Sequence, residues 1–266
     1  MKLAQHMFKS DAPADPEHRC HFGDKAAIQT SLSEVCDVWV AYLQDYVDRT
    51  ESLFGHPELP WENTERAIVS TLSAAIARGF KKSSVIEEHR VTKFGKHGRC
   101  DLWASIPECV CAGSPFSFYL EAKKSVTPKS TGTLKEYLKG HYGISKLFRD
   151  YLKSHSNRIA KLSAYSKIPK GRKHDHYVIG LLITQLEAGQ EYDQSIDEAL
   201  IAVFQKWLRV RLKPNRAGES SDRSRRMGRF PTVALTLIPD DPKSTGMIAS
   251  FTVFGATRQL LAKTNH

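Results

Sequence analysis

The segment Tyr177-Val178-Ile179-Gly180-Leu181-Leu182-Ile183 is apolar without alternation and only a few residues long. A run of this kind is expected of a central strand buried on both faces, since a half-exposed strand would alternate apolar with polar residues. The chain must therefore build a sheet with covering layers, and the rest of the sequence is read for them. From Asp24 to about Arg49 the apolar positions Ala27, Ile28, Leu32, Val35, Val38, Trp39, Tyr42, Leu43, Tyr46 and Val47 recur at three and four, the period of an amphipathic helix. A second helix is expected to start near Pro60-Trp61-Glu62, with Asn63 or Thr64 as its cap, and to run through Ile68, Val69, Leu72, Ala75 and Ile76 to Gly79. Three strand-like runs follow, Val85 to Phe94, Arg99 to Ile106 and Phe116 to Lys124, separated by Gly95 to Gly98 and by Pro107 to Pro115. Helical stretches are expected near 133 to 152 and 195 to 211, and two last strands near Thr232 to Ile238 and Ile248 to Phe254. The first twenty residues, polar and broken by Pro13 and Pro16, read as a loosely held arm. The expected class is α/β: a mixed central sheet flanked by helices, with an N-terminal helical extension. Residues 1–56 form the arm and helix, and 57–266 the main domain of one compact unit.

Lys and Arg number 39 against 29 Asp and Glu, a net charge of +10 that favours a polyanionic partner over an acidic or neutral one. No apolar run reaches the roughly 20 residues that span a bilayer, and the start lacks the apolar centre of a signal peptide, so a soluble, cytoplasmic protein without membrane contact is expected. The cysteines are Cys20, Cys36, Cys100, Cys109 and Cys111, an odd count that argues against a disulfide framework. His97, Cys100, Cys109 and Cys111 lie close in sequence but lack the paired C-x2-C spacing of a zinc knuckle, so free, apolar thiols are the better reading.

The second and third strands contain Arg99-Cys100-Asp101-Leu102-Trp103 and Phe118-Tyr119-Leu120-Glu121-Ala122-Lys123-Lys124. Side chains alternate along a strand, so Glu121 and Lys123 share a face, and an antiparallel neighbour can bring Asp101 beside them. Charges on an apolar strand mark either a solvated face or a working site. Two carboxylates offer hard oxygen ligands for Mg2+ or Mn2+, and a lysine can orient water and offset negative charge at a phosphate. Asp101 and Glu121 are the expected ligands, Ala122 adds its backbone carbonyl, and Lys123 is the cation.

In motif and order this sequence resembles the PD-(D/E)xK nuclease superfamily, over roughly Pro60 to Glu187. The resemblance implies a restriction-endonuclease-like core of helix, three strands, helix and strand, with Glu121-Ala122-Lys123 as the E-x-K element. Cys100 stands where the motif's name has proline. It further implies a Mg2+- or Mn2+-dependent nuclease acting on DNA, with RNA as the alternative substrate. Members of such families often add an acidic residue from the first core helix. Glu65 is the candidate here, ahead of Glu62 at the helix end and Glu88 on the first strand; pairing with a base or with the helix N-terminus is the bland role for Glu65.

Between Lys206 and Arg229 the bases Arg209, Arg211, Arg223, Arg225, Arg226 and Arg229 face few acids, a density suited to phosphate contacts, and Lys124 adjoins the motif itself. Two other readings stay open: a nuclease fold that docks DNA or regulates without cutting, and a protein-interaction module of a larger assembly. No G-x-S-x-G, phosphate-cradling G-x-x-x-x-G-K-[ST] or H-E-x-x-H pattern points elsewhere.

Overall fold

The computed structural model describes residues 1–9, 25–93, 96–111, 114–126, 176–186, 188–189 and 230–256. In chain order these form β1 (Leu3–Lys9), α1 (Lys25–Phe54), a 3-10 turn (Pro60–Glu62), α2 (Glu65–Gly79), β2 (Ser84–Lys93), β3 (Lys96–Cys111), β4 (Ser114–Val126), β5 (His176–Gln185), β6 (Phe230–Pro239) and β7 (Met247–Ala256). The helices expected near 133 to 152 and 195 to 211 lie outside the described residues.

The strands make one seven-stranded mixed sheet in the order β1-β6-β7-β5-β4-β3-β2. β2, β3 and β4 are an antiparallel meander, and β5 then lies parallel to β4, from Ser117↔His176 to Val126↔Gln185. A parallel neighbour cannot be joined by a hairpin, so the chain between Val126 and His176 makes the crossover. β7 and β6 continue antiparallel beyond β5. β5 is thus central, and Ile179, Gly180, Leu181, Leu182, Ile183 and Thr184 are all buried, as its unalternating composition requires.

One face of the sheet carries α1 and α2. Ile28, Leu32, Trp39 and Leu43 of α1 and Ile68, Leu72 and Ile76 of α2 pack with Leu102, Ala104 and Ile106 of β3 and Phe116, Phe118, Leu120 and Ala122 of β4. The even-numbered positions of β4 therefore face the helices, and its odd-numbered positions face away. Thr64 caps α2 by accepting from the Ala67 amide at 3.3 Å. Gly79 does not end α2 as a left-handed cap, since it is not among the glycines with positive φ. A Cβ at this position would collide with the Val38 side chain, so the glycine lets α1 and α2 approach closely.

Two expectations are corrected. Residues 3–9 belong to the sheet: β1 is its edge strand, paired with β6 from Leu3↔Pro239 to Lys9↔Val233. Backbone bonding decides this, aided by Gln44, whose side chain accepts from the Leu3 amide and donates to the Met1 carbonyl. The few apolar residues of β1 give no periodic signal. β3 also runs past Ile106 to Cys111, absorbing Pro107 at an irregularity between Ile106 and Val110 instead of ending there.

Candidate active site

The pairing of β3 with β4 stops at Leu102↔Leu120. Beyond it β3 stays paired with β2, through His89↔Cys100 to Lys93↔Lys96, and leaves β4. The β4 amides that β3 would have bonded must find other acceptors, because a buried unpaired N–H costs about 1–3 kcal/mol. Two carboxylates take that role. Asp101 Oδ2 accepts from the Ala122 amide at 2.7 Å, and Glu65 Oε2, reaching over from the first turn of α2, accepts from the Lys124 amide at 2.8 Å. The opening between β3 and β4 is lined in this way by acids from two elements.

Glu121 precedes these two β4 amides in sequence and is 3% exposed. Continuing the register past Leu102↔Leu120 sets it opposite Asp101. That proximity is felt by Cys100, a fully buried thiol packed on Trp103 and Tyr119. Burial is the first cause that pushes its pKa up, to about 12, and the negative charges of Glu121 and then Asp101 push the same way. A buried neutral thiol therefore occupies the place before Asp101, and burial, with a smaller effect from Cys100, also raises the Tyr119 phenol. The expectation of a free, apolar thiol at Cys100 fits this burial, whereas its nearness to Glu121 has no signal in the sequence.

Comparisons with known proteins find no matching family model, no matching curated protein and no matching solved structure.

Of the other residues singled out, Lys124 directs its ammonium to the carbonyl of Asn63 at the start of α2. Burial lowers its pKa, with the charge of Glu62 opposing. Glu65 holds the Lys124 amide while the Lys124 ammonium holds the turn before α2, which ties β4 to the start of that helix. Glu62 itself accepts from Thr245 Oγ1 at 2.7 Å, and Glu88 lies 3.5 Å from the Arg66 guanidinium. Lys123 lies in β4 opposite Leu182 of β5. Arg209, Arg211, Arg223, Arg225, Arg226 and Arg229 lie outside the described residues.

The donor chemistry at the opening suits a hard divalent cation. Asp101 and Glu121 supply carboxylate oxygens, and the carbonyl of Ala122 projects to the same side of β4 as the amide that Asp101 holds. Among the described residues, no three His, Cys, Asp or Glu side chains stand together as a metal-holding group. Glu65 reaches the same opening with its side chain, whose Oε2 accepts from the Lys124 amide.

Proposed function

We propose that the chain is a metal-dependent nuclease of the restriction-endonuclease-like kind, hydrolysing phosphodiester bonds in DNA through Asp101, Glu121 and Lys123. The observation that carries the reading is the bond from the Ala122 amide to Asp101, which sets a carboxylate of β3 against the Glu121-Ala122-Lys123 segment where the two strands part. Further support comes from the element order: α2, the meander β2-β3-β4 and a strand parallel to β4 follow the helix, three strands and strand that the resemblance implies. The net charge of +10 suits a polyanionic substrate.

Asp101, Glu121 and the Ala122 carbonyl would hold Mg2+ or Mn2+, which when bound polarises the phosphate and lowers the pKa of water. Lys123, two residues beyond Glu121, supplies the cation that orients the attacking water and offsets charge developing on the phosphate. Cys100, buried on Trp103 and Tyr119 and near enough to feel the charges of Glu121 and Asp101, lowers the local dielectric around the acids and strengthens their electrostatic effect.

A second reading is a nuclease fold that binds DNA without cutting, which the net charge of +10 suits equally well. Nicking of supercoiled plasmid in Mg2+ and Mn2+, beside a binding titration in Ca2+, separates the two. Cutting that falls about 10²-fold to 10³-fold in Lys123→Ala with little loss of binding supports the enzyme. Binding by the wild type without cutting in either metal supports the binder.

A further inference from the structure

β2 and β3 lose their regular pleat at one matched place. The ladder pairs Glu87↔Leu102 and His89↔Cys100 and skips the position between, where Glu88 faces Asp101. Glu88 has φ of 47°, and among the described residues it is the only one besides glycine with positive φ. A left-handed residue inside a strand costs about 1–3 kcal/mol and persists only where its surroundings hold it.

The side chains on both strands record the break. Neighbouring residues of a strand should point to opposite faces, yet Glu87 accepts from Ser70 Oγ at 2.9 Å and Glu88 lies 3.5 Å from Arg66, both on α2. On β3, Cys100 should share the helix-side face with Leu102, Ala104 and Ile106, but it packs instead on Trp103 and Tyr119. The pleat therefore inverts at Asp101 as it does at Glu88. An Asp101 in regular pleat would stand off one face of the sheet. At the inversion it swings into the opening beside β4 and reaches the Ala122 amide.

We propose that Glu88 is a positioning residue, whose left-handed backbone, braced on α2, turns Asp101 out of the β3 pleat and aims its carboxylate at β4. The chemical purpose of that aim rests on the nuclease reading, whereas the aim itself is a property of the backbone. Valine, branched at Cβ, disfavours positive φ and favours a strand, so Glu88→Val should restore the regular pleat. Glycine tolerates positive φ and also lacks the carboxylate, so Glu88→Gly controls for loss of the Arg66 contact.

The readout is the Ala122 amide in 15N-labelled protein, by its chemical shift and its hydrogen-exchange protection. In Glu88→Val the amide should lose the shift due to its carboxylate acceptor, with protection falling about tenfold or more, as expected for one lost hydrogen bond. Glu88→Gly should leave both as in the wild type. Melting temperature should change little in Glu88→Val, because the strain released at Glu88 offsets the bond lost at the Ala122 amide. Plasmid nicking should be lost in Glu88→Val and kept in Glu88→Gly. If Glu88→Val does not fold, Glu88→Ala, which also disfavours positive φ, carries the same comparison. A wild-type Ala122 signal in the valine or alanine variant overturns the proposal, as does its loss in the glycine variant. If the wild type does not nick DNA, the nuclease reading falls, and the amide result still decides whether Glu88 aims Asp101.

Discussion

Replacing Asp101 tests the site through two effects that the structure separates. Its Oδ2 is the acceptor for the part-buried Ala122 amide at 2.7 Å, and its negative charge stands beside the buried carboxylate of Glu121. Asp101→Asn keeps an oxygen of the same reach, so the amide bond survives, and one of two neighbouring negative charges is removed. Its stability should lie within about 1 kcal/mol of the wild type, since one neutral hydrogen bond replaces a charge-assisted one while like-charge repulsion falls. Asp101→Ala leaves the amide without an acceptor and should cost about 1–3 kcal/mol. For a chain of this size that is a drop of roughly 2–10 °C in melting temperature. Cleavage should respond otherwise: both variants lose a hard anionic ligand, and both should fall by at least about 10²-fold in plasmid nicking, with poor rescue by added Mg2+ or Mn2+. Calorimetry and nicking on the same preparations give the comparison. Asparagine that cuts as well as the wild type would refute the ligand role, and alanine as stable as asparagine would refute the structural role assigned to the amide bond.

The thiol of Cys100, pushed up to about 12 by burial first and by Glu121 and Asp101 second, should resist alkylation by iodoacetamide at pH 8 in the folded protein and react on unfolding. Because this folded pKa lies above the unfolded value of about 8.5, its contribution is complete below pH 8.5 and is lost upward to about pH 12; urea titrations should show stability falling by at most ~1.4 kcal/mol per pH unit from this group. Gly79→Ala, which on helix propensity alone would stabilise, should instead destabilise by about 1–3 kcal/mol in urea titration, because its methyl group meets Val38 of α1. Alanine at Arg223, Arg225 and Arg226 together should lower the slope of log K against log salt by about two to three, measured by fluorescence anisotropy on a labelled duplex. An unchanged slope returns that segment to a solvated loop.

The elements with strong local signals were determined by sequence alone. The three-and-four spacing in α1, the capping Thr64 before α2 and the apolar run in β5 each express a period or a composition that only one environment satisfies. The same local logic placed Asp101 and Glu121 on adjacent antiparallel strands, because a meander of short strands leaves few other pairings. What tertiary structure decided was everything that depends on partners distant in the chain. The strand of β1 exists through bonds to β6, more than two hundred residues away, and its own residues carry no pattern that announces it. That the Lys124 ammonium meets the Asn63 carbonyl depends on how the turn before α2 lies against β4, which no local pattern announces. The aim of Asp101 into the opening depends on an inverted pleat at Glu88, and a glutamate with positive φ cannot be read from a sequence, since glutamate does not favour that conformation and only the surrounding fold imposes it.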